Sequence, residues 1–350
     1  MGLIQFVVCH HLPHNLLITI LFYVSTDAYI CQTCHKVIQM KHNPLVSILI
    51  PLYNAQAYIA DTIERCLNQS YKNIEIVIVD DHSTDQSQSI AQQYECQNIH
   101  IYENPKKGGN AARNHAFQMS KGEYVKFLDA DDYYSPTMIE KQIERLLNNG
   151  TERSVVFSPV RMLYEDSHWF NPPRSIDFDH EPGIELLLDI WRGKGWHCPH
   201  CHLMHRNLVE KAGLWDENVI KNQDGEFFAR VYAAADKALA VPDEYAVWRQ
   251  FDTGVHTVMK LEAIRSALYT KLTIGNLILT YRNDTETKTM IGRSIGLFVY
   301  ENWPQIKPLL QDINKICSKL NVNMMLPERK KLKILTLLFG WQKALDIIKK

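Results

Sequence analysis

Residues 45–54 read LVSILIPLYN, a run of aliphatic and β-branched side chains that is broken at Pro51 and ends in the polar pair Tyr53 and Asn54. A short apolar run of this kind is typical of a strand buried in a parallel sheet. From Ala57 onward the apolar residues instead recur at helical spacing. The stretch therefore predicts a strand, a loop and a helix, with polar side chains at the carboxyl end of the strand.

The same unit recurs along the chain. Apolar runs at residues 74–79, 99–102 and 124–128 are each followed by a turn and a helical pattern. Strands that alternate with helices predict an α/β protein with a mostly parallel, Rossmann-like central sheet. Ligands bind beyond the carboxyl ends of such strands. The polar residues at these ends are Tyr53, Asn54, Asp80, Asp81, Asp129, Asp131 and Asp132.

Most of these polar residues are carboxylates, which repel one another and raise one another's pKa when they cluster. A divalent cation relieves this repulsion, and Mg²⁺ or Mn²⁺ binds one or two carboxylates together with substrate phosphates. The sequence DADD at 129–132 is therefore a candidate platform for a metal-bound nucleotide diphosphate. Asp81 is a candidate acceptor for an N–H group of the base. The alternative interpretation is that these acidic residues only form turns or cap helices.

Four segments closely resemble, in order, the signatures of the family 2 glycosyltransferases, nucleotide-sugar enzymes of the GT-A fold. They are VSILIPLYN at 46–54, VDDHSTD at 79–85, GNAARN at 109–114 and FLDADD at 127–132. The resemblance spans residues 44–255. It implies that Asp81 contacts the base, commonly uracil, and that Asp129, Ala130 and Asp131 hold the ribose and the diphosphate. The other donor-site candidates are Pro51, Tyr53, Asn54, Asp80 and Arg113, and the metal-site candidates are Asp131 and Asp132.

The resemblance also implies a catalytic base in the second half of the chain. Asp224, in the sequence NQDGEFF at 222–228, matches the general base that takes a proton from the acceptor hydroxyl. Gln223 stands where Glu is more frequent in the family. A simple N-cap of the following helix is the alternative role of Asp224.

Together these parts imply a metal-dependent, inverting glycosyltransferase. It would move one sugar from a nucleotide-diphosphate sugar, commonly a UDP-sugar, to a hydroxyl of a glycan or lipid-linked acceptor in cell-envelope polysaccharide synthesis. The Q-x-x-R-W sequence of the family's processive synthases is missing, so we expect one sugar per binding event. The alternative is a non-catalytic protein that binds nucleotide sugars or glycans on the same fold. Asp131 and Asp224 together argue against this alternative.

Histidine and cysteine cluster in the sequence HCPHCH at 197–202, with His205 close by. A structural zinc site requires a second ligand pair at a defined distance, and none follows. The resemblance instead implies that this stretch lies beside the acceptor site, where His202 or His205 would line the pocket. Arg249, at the end of an apolar run, and His256, in the next loop, are second-rank candidates near the diphosphate; a surface arginine beside a strand is the alternative.

Composition and charge limit the partners and divide the chain. With 38 basic and 39 acidic residues the formal net charge is −1, which argues against a nucleic-acid partner. Eight cysteines in 350 residues are too few for a disulfide scaffold. We predict four regions: a leader or misassigned extension at 1–43, a nucleotide-sugar-binding half at 44–150, a half with the acceptor site and base at 151–258, and a helical region at 259–350.

The end of the helical region combines basic residues with aliphatic side chains and a tryptophan, from Arg329 to Lys350. This composition is typical of a helix that lies in an anionic membrane interface. The alternative is a helix that packs on the catalytic domain. No early apolar run reaches the roughly 20 residues of a spanning helix. We therefore expect a cytoplasmic protein, held at the inner face of the membrane if the first interpretation holds.

Overall fold

The computed structural model describes residues 43–251 and 260–349. The chain divides into Met1–Asn43 and Pro44–Lys350, and all of the elements below belong to the second unit. The predicted leader, apart from Asn43, and the candidate site residue His256 lie outside the described residues.

Seven strands form the central sheet and four shorter ones form a second sheet. The strands are β1 Val46–Leu52, β2 Ile74–Asp80, β3 Ile99–Glu103, β4 Tyr124–Phe127, β5 Tyr133–Tyr134, β6 Ser154–Phe157, β7 Val160–Tyr164, β8 Trp169–Phe170, β9 His202–His205, β10 Lys237–Ala240 and β11 Ala246–Gln250. The order in the central sheet is β10-β6-β9-β4-β1-β2-β3, and in the second sheet β5-β11-β7-β8.

The central sheet is parallel except for β9, which runs antiparallel to both β4 and β6. The predicted α/β class with a mostly parallel sheet is confirmed. Because β9 is reversed, its amino end lies at the edge where the parallel strands have their carboxyl ends. Residues just before β9 therefore reach the predicted ligand edge, and residues at its end lie on the opposite edge.

Helices cover both faces of the central sheet and form the C-terminal region. They are α1 Ile59–Leu67, α2 Ser87–Gln92, α3 Gly109–Met119, α4 Met138–Asn149, α5 Ile184–Trp191, α6 Arg206–Ala212, α7 Gln223–Ala234, α8 Leu261–Tyr281, α9 Thr285–Glu301, α10 Leu310–Leu320, α11 Lys330–Phe339 and α12 Trp341–Ile348. In the part of the chain that the structure describes, no helix combines the length and the apolar character needed to cross a bilayer.

Successive residues of β1 pack into different cores because side chains alternate across a strand. Ile48 and Ile50 join the core on one face of the sheet, and Leu49 joins the core on the other. The core that contains Leu49 continues without a break into the C-terminal helices, where Ile295 and Leu345 are fully buried. The C-terminal helices therefore share a hydrophobic core with the sheet.

Candidate active site

A cavity of about 500 Å³ lies at the carboxyl ends of β1, β2 and β4. Ten of the residues predicted for the site line it: Pro51, Tyr53, Asn54, Asp81, Arg113, Asp129, Ala130, Asp131, Asp132 and Gln223. The strand ends meet here because β1 pairs in register with both β2 and β4.

Asp81 is held rigidly at one end of this cavity. Its Oδ1 accepts hydrogen bonds from Asn104 Nδ2 at 2.7 Å and from the Gly108 N–H at 2.8 Å, and its Oδ2 lies 3.0 Å from the same N–H. Gly108 has φ of +137°, a conformation that favours glycine. A carboxylate has about four lone-pair positions, so Oδ2 keeps one for a ligand N–H.

Asp80 and Asn54 shape the loops around the cavity. Asp80 is buried, does not line the cavity, and accepts the Ser83 N–H at 3.1 Å. Asn54 has φ of +46°, and its Oδ1 accepts the Thr84 N–H at 2.8 Å. The bond from Thr84 to Asn54 ties the end of β1 to the loop after β2, and the bond from Ser83 to Asp80 fixes the start of that loop. The structure therefore gives Asp80, a predicted donor contact, a positioning role in the loop.

Arg113, which is buried, and Asp129, which is half-buried, form an ion pair in the wall of the cavity, with 2.7 Å between Arg113 Nη2 and Asp129 Oδ1. The Arg113 guanidinium also lies 4.8 Å from the centre of the Trp215 ring. Burial opposes its charge, but the carboxylates of Asp129 and Asp224 outweigh this and raise the pKa of Arg113. The cationic group therefore stays charged between the two carboxylates.

The asparagines of the GNAARN segment position the approach to Asp224, a role that the sequence did not reveal. Asn114 Nδ2 donates to the Trp215 carbonyl, and Asn114 Oδ1 accepts the Trp215 N–H, each at 2.9 Å. Asn110 Nδ2 donates to the carbonyls of Asp216 at 2.8 Å and Val219 at 3.0 Å. Helix α3 thus fixes the segment that leads to Asp224.

Arg249 organises the acidic segment rather than lining the cavity. Its N–H donates to Asp132 Oδ1 at 2.8 Å, and its Nη1 donates to the Asp131 carbonyl at 2.7 Å. Its Nη2 forms an ion pair with Asp61. Burial is the main reason that the pKa of both Asp131 and Asp132 is raised, and repulsion from the neighbouring aspartates adds to it.

His200 completes this acidic cluster. Its Nε2 lies 3.1 Å from the Val247 carbonyl, which only accepts hydrogen bonds, so Nε2 carries the proton of the neutral ring. Its Nδ1 is buried without a hydrogen-bond partner and lies 3.5 Å from Asp132 Oδ2. Burial lowers the pKa of His200 to about 4. Ligand atoms of Asp129, Asp132 and His200 lie within 4.8 Å of one another.

The two histidines predicted for the acceptor pocket occupy other places. His202 is buried, with Nε2 2.7 Å from Tyr232 Oη and its ring stacked on Phe228 at 4.0 Å. His205 packs edge-on against Tyr124 and accepts the Asn207 N–H at the start of α6. His205 lies at the far end of β9, on the edge opposite the site. The reversed strand brings His200 to the site instead.

The cysteines beside His200 form a buried thiol pair, with 3.2 Å between the Sγ atoms of Cys198 and Cys201. Within residues 43–251 and 260–349, the single convergent set of three or more potential metal ligands is Asp129, Asp132 and His200. The cysteines thus do not join a zinc-type cluster there.

Asp224 occupies the first turn of α7 and lines a second, larger cavity of about 1450 Å³. Burial and the nearby Asp129 raise its pKa to about 6, although Arg113 and Lys221 oppose the shift. Asn222, just before the helix, has φ of +62° and donates through Nδ2 to Thr270 Oγ1 in α8 at 2.7 Å. The position of Asp224 therefore depends on a C-terminal helix.

The two cavities meet at shared wall residues, Asp129, Asp132 and Trp248. The smaller cavity contains Asp81 and the DADD segment, and the larger one contains Asp224. The far wall of the larger cavity comes from α8, α9 and residues 325–328. A group bound in one cavity can thus meet a group bound in the other beside the acidic cluster.

Comparison with known proteins identifies the family. The model of the family named Glycosyl transferase family 2 matches residues 47–213. Glycosyltransferase RT0329 of Rickettsia typhi is 30% identical over 255 residues, which are 69% of this chain and 76% of that protein. The UDP-Glc:alpha-D-GlcNAc-diphosphoundecaprenol beta-1,3-glucosyltransferase WfaP of Escherichia coli is 47% identical over 100 residues, 28% of this chain and 40% of that protein.

The crystal structure of S. aureus TarS 1–349 in complex with UDP-GlcNAc has the same fold, with a TM-score of 0.63 and 18% sequence identity. The match covers 87% of this chain and 88% of that one. The chain belongs to glycosyltransferase family 2 and is a glycosyltransferase of the GT-A fold.

Proposed function

We propose that this glycosyltransferase is metal-dependent and inverting, and that it moves one sugar from a UDP-sugar to a hydroxyl of a glycan or lipid-linked acceptor. The observation that supports this most is the meeting of the two cavities, because a donor and an acceptor bound in them would lie side by side. WfaP is named for a UDP-glucose donor and a diphosphoundecaprenol acceptor, which favours cell-envelope polysaccharide synthesis. The proposal places the reaction at the inner face of the membrane.

The smaller cavity is the proposed donor site. Asp81 Oδ2 has a lone pair available for the N–H of a uracil, and the bonds from Asn104 and Gly108 fix its direction. UDP and UDP-GlcNAc are bound in the TarS structures, which share this fold. Arg113 pairs with Asp129 beside the proposed diphosphate position and adds a positive charge there.

The acidic cluster suits a divalent cation. The unpartnered Nδ1 of His200 and the Oδ2 of Asp132 are two buried acceptors that face each other, which is favourable only with a proton or a cation between them. Asp129, Asp132 and His200 would hold the ion, with Asp131 alongside. An imidazole in the set favours Mn²⁺ over Mg²⁺, which prefers oxygen ligands. Such an ion, when bound, neutralises charge on the departing diphosphate.

Asp224 is the proposed general base. Its carboxylate accepts the proton of the acceptor hydroxyl as the acceptor oxygen bonds to the anomeric carbon. The bond from that carbon to the diphosphate oxygen breaks, and the diphosphate leaves with the electron pair. With a pKa of about 6, Asp224 is mostly ionised at neutral pH. This pKa is also close enough to the working pH for the carboxylate to take a proton readily. A single displacement inverts the anomeric configuration.

Release of nucleoside diphosphate tests the proposal. Wild-type protein is incubated with UDP-, GDP- and dTDP-sugars and Mn²⁺, with and without EDTA, beside Asp131→Ala. The control is Asp243→Asn, an exposed carboxylate that lines neither cavity. We expect release from a UDP-sugar that EDTA and Asp131→Ala abolish and the control retains. Calorimetric binding of the UDP-sugar without any release, even with a panel of glycan acceptors, would instead indicate a binding protein.

A further inference from the structure

Helix α11 presents a continuous apolar and basic face to solvent. Lys330, Lys331, Ile334, Leu337 and Leu338 recur at the spacing i, i+1, i+4, i+7, i+8, so they lie on one side of the helix. All five are exposed, Leu337 at 81% and Leu338 at 66%. Single exposed leucines are ordinary, but a contiguous patch marks an interaction surface.

The opposite side of α11 holds the helix against the protein. Leu332 is buried, and Leu335 packs against the core that runs up to the central sheet. Helix α12 follows directly, and its Trp341 contacts Trp303 edge-on at 5.7 Å between ring centres. The packed side therefore fixes α11 in place, and the exposed side makes no contribution to the hydrophobic core.

The charge around this face selects an anionic partner. Residues 326–350 carry seven basic and two acidic side chains, a net charge of +5 in a chain whose total is −1. Within the described residues, no carboxylate forms an ion pair with Lys330, Lys331 or Lys333. Basic residues beside exposed aliphatic ones are the pattern of helices that lie in the headgroup region of anionic bilayers.

The position of α11 links this face to the larger cavity. Residues 325–328, immediately before the helix, line the same cavity as Asp224. The segment from Asn323 to Met325 crosses α9 at two glycines. A Cβ on Gly292 would lie 2.0 Å from the Asn323 carbonyl oxygen, and one on Gly296 would lie 1.9 Å from the Met325 carbonyl oxygen. The cavity wall and α11 are thus held together on α9.

We propose that the exposed face of α11 docks on an anionic lipid bilayer, with Lys330 and Lys331 at the headgroups and Ile334, Leu337 and Leu338 in the interface. Docking would bring the mouth of the larger cavity to the bilayer, where a lipid-linked acceptor resides. Only this last consequence rests on the proposed function, because the docking itself requires neither donor nor acceptor.

Vesicle co-sedimentation tests the docking without any substrate. The full chain is mixed with vesicles of phosphatidylcholine alone or with about 30% phosphatidylglycerol, at low and high salt. We expect binding that needs phosphatidylglycerol and weakens with salt. Lys330→Gln with Lys331→Gln should lower the partition coefficient about 30-fold, because each lysine contributes about fivefold. Leu337→Ser with Leu338→Ser should remove binding.

Trp169→Ser, an exposed apolar change in β8, is the matched control and should bind as the wild type does. Circular dichroism checks that each variant is folded. We expect all of them to fold, because the changed residues are exposed. Wild-type binding that is absent, or equal on both vesicle types, would overturn the proposal. A second contradicting outcome is a wild-type dimer that forms with rising concentration and is lost in Leu337→Ser with Leu338→Ser, while this variant still binds vesicles. A second copy of the chain would then cover the face.

Discussion

The sheet-bearing part of the chain, residues 44–251, and the helices at 260–349 contribute to one core but carry different information. In the first part, polar residues at strand ends converge on one cavity and indicate the chemistry directly. In the second part, regular apolar stripes mostly build helices, and the functional features are a cavity wall and an exposed face. Short motifs at the strand ends thus indicate the chemistry, whereas only the structure shows which helix faces remain uncovered.

The largest expected effect is confined to the first part. Asp224→Asn should lower the turnover number about 10²- to 10⁴-fold, the usual contribution of a general base, because the amide cannot take the acceptor proton. Steady-state release of UDP measures this. UDP affinity and vesicle binding should stay unchanged, with Asp243→Asn as the control. Near wild-type turnover by the Asp224→Asn variant would remove the assigned base.

The next effect is on Mn²⁺ affinity, and it distinguishes His200, in the turn before β9, from His205, at the end of β9. His200→Asn should weaken Mn²⁺ binding in the presence of UDP by about 10- to 100-fold or more, because it removes the unpartnered Nδ1 beside Asp132. Calorimetric titration of Mn²⁺ measures the change. His205→Asn, on the opposite sheet edge, should bind Mn²⁺ normally. Equal affinities for both variants would contradict the assigned metal site.

A smaller effect tests whether the C-terminal helices build the cavity wall without touching the donor site. Gly296→Ala should lower the free energy of unfolding by about 1–3 kcal/mol, because the new methyl group collides with the Met325 carbonyl. Urea unfolding measures this. At an unhindered helical position the same change would stabilise the protein by up to about 1 kcal/mol. UDP affinity should not change, and a large loss of it would mean that the two parts are not separable.

The smallest effect concerns pH. The raised pKa of Asp224 means that its contribution to folding is fully present below the unfolded value near 4 and is lost as pH rises through about 6. Asp224→Asn should therefore melt above the wild type at about pH 7.5, by roughly 2–4 °C for each kcal/mol gained, and show no gain at about pH 3.5. Thermal melts at the two pH values decide this. A gain that persists at the acidic pH would point to another cause.

Much of the first part could be predicted from the sequence, because each parallel strand ends at the same edge and its last residues are visible in order. Asp81, Asp129 and Asp131 illustrate this, since each follows a predicted strand and lines the predicted cavity. The reversal of β9 could not be predicted, because its short apolar run carries no sign of direction. The histidine beside the acidic cluster is therefore His200, whereas the family resemblance predicts a site role for His202 or His205.

Long-range contacts set the remaining limits. Arg249 is 117 residues from Asp132, and nothing in the local pattern shows that its N–H and guanidinium hold the acidic segment. The basic and apolar composition after Arg329 is compatible with either packing or membrane contact. The structure separates the two sides of α11 and shows that Leu332 packs while Leu337 and Leu338 do not. Burial of one face and exposure of the other depend on the partner helices.

The anomeric form of the sugar released by slow hydrolysis of a UDP-α-sugar tests the central claim most directly, since it requires no acceptor. Proton NMR in the first minutes, before mutarotation, reads the coupling of the anomeric proton. A single displacement with Asp224 as the base predicts that the β-anomer appears first and that Asp224→Asn suppresses it. Initial release of the α-anomer would contradict the mechanism.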